Sequence, residues 1–431
     1  MRMIRIIVYR FFCLFFMSLL LSGCAGGLLD EVPKDFFLAE ETGQGQMISG
    51  TAAGEPWSSE TVEAAEDKES SDEDALSEEV YSFLEEGSGF ARADLSQAQQ
   101  IWYSDMERIL GSFQTEVELS GEGLTAGLDE TDIDRIFQCV LGDHPELFYV
   151  DGYSYIKYTS YGGNDIVSIE FSGRYTVDYE TAKERKDQIA ASVSAILKGI
   201  DPGADQYQKV KYVYDTVIRE TDYQLDSPDN QNIYSVFVNH RSVCQGYAKA
   251  TQYLLNRLGI ECALVLGTVE TGEGHAWNLV KVDGSYYYVD TTWGDASYQM
   301  SGEDTLPLLT IPEINYDYLN VTTAELLRTH TLDAAMVMPV CIDTAANYYV
   351  REGAFFTGYD REQMRTLFER TLEQGRNDIT IKCDTQESYD QVFRALIENQ
   401  EIFGYLSDLS DTVAYTQNDT QLSLTFWVTN Q

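Results

Sequence analysis

From about residue 96 the apolar positions fall into regular periods. Ile101, Met106, Ile109, Leu110 and Phe113 recur at helical spacing, and a second helix is predicted from Glu130 to Leu141, with Gly142 as its stop. Two strands follow, Tyr153 to Tyr158 and Ile166 to Tyr175, joined by a turn at Gly162-Gly163-Asn164. Two amphipathic helices come next. One carries Ile189, Val193, Ile196, Leu197 and Ile200 and closes at Asp201-Pro202-Gly203; the other carries Tyr207, Val210, Val213, Tyr214 and Val217. Residues 291–338 read as loop-rich. Beyond 340 the pattern predicts a strand at 348–350, a helix at 360–374, a strand at 379–382 and a helix at 388–400, then strands near 413 and over 422–428. The fold class this predicts is α+β. No repeat of fixed period is present.

The N-terminal ninety residues behave differently. Arg2, Arg5 and Arg10 precede an apolar run, Phe11 to Leu21, that is too short to span a bilayer and ends at Leu21-Ser22-Gly23-Cys24. That arrangement predicts a secretory signal over 1–23 with a lipobox, so that Cys24 is lipidated and tethers the chain to a membrane; two acyl tails give stable attachment. Residues 24–92 are acidic, densest from Glu63 to Glu79, and read as an extended disordered tether. They hold no Asp-x-Asp-x-Asp-Gly loop of the kind that binds calcium. The boundaries expected are therefore a signal peptide at 1–23, a tether at 24–92, an α+β module at 93–178, a core at 179–338 and a C-terminal α/β module at 339–431.

Charge narrows the choice of partner. Lys and Arg number 29 against 71 Asp and Glu, a net charge of −42 over 431 residues. Such a chain lacks the basic surplus that phosphate binding needs, which excludes nucleic acid as the expected partner. Seven cysteines in this length do not make a disulfide framework. Cys139, Cys262, Cys341 and Cys383 sit among apolar neighbours and read as buried structural thiols. No Cys-x-x-Cys or His-x-x-x-His spacing occurs, so neither a metal nor a cofactor is expected. His144 reads as part of a capped loop after a helix, and His240 and His330 as surface residues.

Chemistry concentrates in 233–290. Cys244 begins a helical face made of Tyr247, Ala248, Thr251, Leu254, Leu255 and Leu258, closed by Gly259; Ser242 and Gln245 have the spacing of a capping box. A first-turn cysteine meets free backbone N–H groups and the positive end of the helix dipole, which favour thiolate. Downstream, Gly274 to Val282 and Ser285 to Asp290 flank Asp283-Gly284, a strong signal for a hairpin with a two-residue turn. In that register Val282 faces Ser285 and Trp277 faces Asp290. His275 is then the diagonal neighbour of Asp290 on one face, within reach of an imidazole–carboxylate contact. A slip of one residue would separate them. Cys244, His275 and Asp290 are thus candidates for nucleophile, base and orienting carboxylate.

The blocks Cys244-Gln245-Gly246-Tyr247-Ala248, Gly274-His275-Ala276-Trp277-Asn278 and Tyr288-Val289-Asp290-Thr291-Thr292-Trp293 resemble the bacterial transglutaminase-like superfamily. The resemblance implies a papain-like core, with a Cys-bearing helix packed on an antiparallel sheet that carries His and Asp, and acyl transfer from an amide. The flanking modules and lipobox resemble the layout of cell-surface lipoproteins. The expected function is a membrane-anchored extracytoplasmic thiol enzyme acting on protein, peptide or cell-wall peptide amides, by hydrolysis or cross-linking. The alternative is a surface binding or scaffold lipoprotein that keeps the fold without turnover. Trp277 and Trp293 are candidates for the cleft walls. The backbone N–H of Cys244 is a candidate oxyanion donor, with Asn239 or Gln245 as second donor.

Overall fold

The computed structural model describes residues 7–8, 49–51, 84, 89–159, 166–296, 312–333, 337–376, 378–406 and 413–428. The apolar run Phe11 to Leu21, Cys24, nearly all of the acidic stretch and the turn at 162–164 lie outside them. Among the described residues no helix is long and apolar enough to cross a membrane. The chain divides into two units: Leu20–Leu197 with Asn232–Val238, and Met1–Leu19 with Lys198–Gln231 and Asn239–Gln431.

In the first unit, helices α1 (Gln97–Gly111) and α2 (Ile133–Asp143) pack beside the antiparallel strands β1 (Val150–Thr159) and β2 (Ile166–Tyr175). Ser96 and Gln99 form a reciprocal cap that starts α1. Trp102, Met106, Ile109, Ile136, Phe137, Val140, Ile169 and Phe171 fill the core. Val117–Glu118 and Ser49–Thr51 pair with β2 and β1 as edge strands. Helix α3 (Tyr179–Lys198) follows. His144 caps the C-terminus of α2 and is buried, with Nε2 3.1 Å from Glu107 and Nδ1 2.7 Å from Glu146. Burial opposes its charge, but the hydrogen bonds and charges of Glu107 and Glu146 outweigh burial and hold it up at about 10.

The second unit opens with α4 (Gln206–Glu220), followed by α5 (Cys244–Arg257). A five-stranded sheet then forms from β3 (Cys262–Val269), β4 (Gly274–Val282), β5 (Ser285–Val289), β6 (Leu319–Val321) and β7 (His330–Leu332). Its order is β6-β5-β4-β3-β7, antiparallel throughout. Asp283 and Gly284 both take positive φ, as a two-residue type I′ turn requires. That turn fixes the β4–β5 register: Val282 pairs with Ser285 and Asn278 with Val289. Helix α5 lies on this sheet. Asn278, fully buried in β4, donates from Nδ2 to the Ala248 carbonyl at 2.9 Å, so a strand side chain is tied to the helix backbone.

Two local expectations change here. Ser242 does not cap α5; Val243 occupies the N-cap without a side-chain cap, and the Ser242 hydroxyl donates to the Asn230 carbonyl at 2.6 Å. Ser242 is instead held in a two-residue parallel pairing of Arg241–Ser242 with Asp222–Tyr223. The stretch read as loop-rich also contributes β6 and β7 to the sheet.

The C-terminal part of this unit contains α6 (Arg361–Glu373), β8 (Asp378–Cys383), α7 (Gln386–Phe393), β9 (Val413–Asn418) and β10 (Ser423–Val428). In its sheet β10 lies between β9 and β8, antiparallel to both, with Ile7–Val8 beside β9 and Phe355–Phe356 beside β8. The segment predicted as a strand at 348–350 is a helical turn, Tyr348–Arg351. The Asn347 side chain accepts from Tyr349 N and caps it, a local bond that overrides the β propensity of Tyr and Val.

Candidate active site

Cys244 is the first residue of α5 and is partly exposed; its side chain packs against Ala248, Leu264 and Ala276. The glycine two places on has a steric reason. A Cβ at Gly246 would lie 1.9 Å from Ser242 Oγ and 3.1 Å from the Asn230 carbonyl oxygen. The chain entering the helix therefore passes too close for any side chain at 246. Cys139, Cys262, Cys341 and Cys383 are free and buried. Burial pushes Cys139 and Cys341 up to about 11, Cys383 up to about 12 and Cys262 well above the ordinary thiol range.

His275 stands near the start of β4, and Asp290 follows the last residue of β5. His275 Nε2 lies 2.7 Å from Asp290 Oδ2, and both side chains are buried. Cys244 lies close enough to the same imidazole to favour its charged form. Asp290 also caps the short helix Thr291–Gly294: Oδ1 accepts from Thr292 N at 2.9 Å and Trp293 N at 3.0 Å. One carboxylate oxygen is thus fixed by backbone and the other faces imidazole. Burial acts against charge on His275, but the charge and hydrogen bond of Asp290, then those of Cys244, outweigh it and hold the imidazole up at about 10. Burial alone would raise Asp290; the charge and hydrogen bonds of His275, then of His330, hold it well below the usual carboxylate range.

His330 is not a surface residue. It is buried in β7, with Nε2 3.0 Å from Asp290 Oδ2 and Nδ1 2.8 Å from Thr329 Oγ1. Asp290 Oδ2 therefore sits between two imidazoles. No motif marked His330. Its only sequence signal was the short alternation Thr329-His330-Thr331-Leu332, too brief to place on a sheet. The pairing of β7 with β3 brings it in, His330 opposite Val269. His240 is exposed and bonds the Glu220 carbonyl through Nδ1 at 2.9 Å.

Aromatic rings enclose the pair of imidazoles. Trp277 lies 5.8 Å from His275 and 5.0 Å from His330 between ring centroids, and Trp293 lies 6.2 and 4.9 Å from the same two. Tyr318 completes the box, 5.2 Å from Trp293 and 5.6 Å from His330. Trp277 is 0% exposed, which places it behind the imidazoles rather than on an open cleft face; Trp293 is 7% exposed. A buried surround of this kind strengthens each charge–charge contact inside it.

The His275, Asp290 and His330 donor atoms lie close enough to face one ion. Both Nε2 atoms are already spent on Oδ2, and the cluster is buried, so the set reads as a hydrogen-bonded group. A separate depression of about 320 Å³, lined by Gly353, Asp360, Gln363 and Arg370 among others, carries neither thiol nor imidazole.

The sequence model of the transglutaminase-like superfamily matches residues 194–291, a span that contains Cys244, His275 and Asp290. That segment is similar to a transglutaminase-like core. The match covers less than a quarter of the chain's length. Similar solved structures include a TGase at 16% identity, covering 35% of this chain and 44% of that one, with a TM-score of 0.23. A candidate cysteine protease from Cytophaga hutchinsonii is similar at 12% identity, with 33% and 66% of the two chains covered and a TM-score of 0.22. A candidate protease from Parabacteroides distasonis is similar at 12% identity, with 32% and 36% covered and a TM-score of 0.20. The chain thus spans less than two thirds of each of these proteins. No curated protein matches it. The transglutaminase-like core is α+β, a Cys-bearing helix packed on an antiparallel sheet.

Proposed function

We infer that the protein is a thiol enzyme that opens amide bonds through Cys244, His275 and Asp290. One observation carries the reading: a single buried imidazole is hydrogen-bonded to a buried carboxylate and stands beside a partly exposed thiol at a helix N-terminus. In this reading Cys244 attacks the amide carbonyl carbon as thiolate, forming a carbon–sulfur bond. The oxyanion that develops is met by the backbone N–H of Cys244. Imidazolium of His275 gives its proton to the leaving amine as the carbon–nitrogen bond breaks. Water, or an acceptor amine, then attacks the thioester; its proton goes to His275, and the carbon–sulfur bond breaks to release the product and return Cys244 as thiolate. Asp290 stabilises the imidazolium throughout. Substrates in this proposal are protein, peptide or cell-wall peptide amides, and a lipid anchor at Cys24 holds the enzyme at the outer face of a membrane.

The test is competitive alkylation of the folded protein by iodoacetamide near neutral pH, with the modified cysteine identified by mass spectrometry. Cys244 is expected to react first, and His275→Ala is expected to lower its rate. Labelling of Cys244 no faster than Cys139 or Cys341 would overturn the enzyme reading and favour a binding or scaffold protein.

A further inference from the structure

A line of hydrogen bonds runs from the C-terminal sheet to Asp290, and its direction is set at the far end. Lys382, in β8, is fully buried, and its ammonium, which has only donors, lies 3.3 Å from Gln421 Oε1. That contact orients the Gln421 amide: oxygen toward Lys382, Nε2 toward the Tyr318 hydroxyl at 3.2 Å. Tyr318 oxygen accepts from Gln421, and its hydroxyl lies 3.3 Å from Thr329 Oγ1, to which it can donate. Thr329 in turn is free to donate to His330 Nδ1 at 2.8 Å, a shorter contact than the 3.4 Å to the Leu326 carbonyl. An ionised carboxylate only accepts, so the proton of His330 falls on Nε2, the atom 3.0 Å from Asp290 Oδ2, and a donating Thr329 hydroxyl at Nδ1 agrees with this. Asp317 holds Lys382 in place at 3.5 Å, and Ser423 and Asn418 bond the other Asp317 oxygen at 2.8 and 3.3 Å.

We propose that His330 is a positioning residue of the Cys244–His275–Asp290 group, fixed by this chain as the Nε2–H tautomer so that it shares Asp290 Oδ2 with His275. The inference rests on the reading of that group as the reactive site. Its consequence is electronic as much as steric. Backbone N–H groups already hold Oδ1, so orientation of the carboxylate survives loss of His330. What His330 adds is a second donor on Oδ2, which divides the oxygen's attraction for the proton of His275. The charged or titratable groups facing this cluster are Asp290, His275 and Tyr318 in contact with His330, Tyr214 beside Asp290, Cys244 beside His275, and Lys382, Asp317 and Glu325 behind Tyr318. The C-terminal sheet thereby becomes a working part of the core, since Lys382 and Gln421 set the hydrogens that reach Asp290.

The experiment has two arms. In the wild-type protein labelled with ¹⁵N-histidine, the imidazole spectrum is expected to show His330 protonated at Nε2; a His330 that carries its proton on Nδ1 alone overturns the proposal without need of any variant. In the second arm, alkylation of Cys244 by iodoacetamide is followed across pH for wild type, His275→Ala, His330→Leu and His330→Gln. Leu keeps bulk and removes the donor; the Gln amide nitrogen restores a donor near the place of Nε2. His330→Leu is expected to move the alkaline limb of the profile upward by about one pH unit, and His330→Gln to return it. A His330→Leu profile that superimposes on wild type, or moves down, overturns the positioning role. If His275→Ala also leaves the profile unchanged, the reading of the reactive group fails; if His275→Ala changes it and His330→Leu does not, only the present inference fails. Should His330→Leu not fold, the tautomer in the wild-type spectrum decides.

Discussion

Replacing Asp290 with Asn removes one charge and leaves the shape, and the structure says that the change is costly. Oδ1 accepts two backbone N–H groups, and Oδ2 faces Nε2 of both His275 and His330. An Asn amide has one oxygen, so in either orientation its NH₂ group points at donors inside a buried site. The larger loss is electrostatic. His275 stands at about 10 against an ordinary 6.5, a difference worth about 5 kcal/mol at most. The His275 side chain is 4% exposed, so solvent screens little of this. Asp290 is the main favourable cause and Cys244 the lesser, so the substitution is expected to remove on the order of 3 kcal/mol. The sign follows from linkage. A folded-state value above the unfolded one contributes stability that is whole below about 6.5 and fades as pH rises through about 10. The depressed value of Asp290 contributes stability that is whole above the ordinary carboxylate range and is lost only in strong acid. Urea unfolding of wild type and Asp290→Asn at several pH values between 5 and 10 checks this. The gap between the two proteins should be widest at pH 5–6.5 and should narrow steadily toward pH 10. A gap of the same size at pH 6 and pH 10 would refute the ion-pair argument and leave only the donor clash.

Three further outcomes are expected. Gly246→Ala should cost about 1–3 kcal/mol and slow Cys244 alkylation, because the new methyl meets Ser242 Oγ; adding Ser242→Ala should recover part of both, and a single variant that melts like wild type would contradict the steric account. His144→Leu should destabilise the Leu20–Leu197 unit by about 3–5 kcal/mol, since Glu107 and Glu146 lose their shared partner in a buried site; calorimetry reads this, and the deficit should shrink as pH rises through about 10, where the wild-type imidazole is neutral as well. Cys24→Ser should release the protein from membranes in fractionated cells; retention of unlipidated protein would show that the apolar run itself is the anchor.

The hairpin was legible because its determinants are local. Asp283-Gly284 accepts positive φ at both positions, that selects a two-residue turn, and the turn fixes which residues face each other. From that alone His275 and Asp290 are brought to one face, and the structure places them 2.7 Å apart. The first-turn position of Cys244 was legible too, from the apolar face that follows it and from Gly259, which takes the positive φ of a helix stop. Where only short-range bonds competed, the pattern misled. Ser242 had the spacing of a cap, but its hydroxyl found the Asn230 carbonyl, and Asn347 turned a β-rich triplet into a helical turn.

What the tertiary structure alone decided is the company Asp290 keeps. His330 lies forty positions from Asp290, in a three-residue strand whose register is set by pairing with β3 and not by any turn of its own. Lys382 and Gln421 come from farther still, and nothing in their neighbours along the chain predicts a buried ammonium facing an amide oxygen. Local rules fix a side chain's direction only across a tight turn or a helical repeat. Contacts closed by long loops depend on which surfaces bury together, and that choice is made by the whole core at once. The sequence by itself determined the hairpin, the place of Cys244 in a first helical turn and the pairing of one imidazole with one carboxylate; folding decided that the carboxylate would be shared.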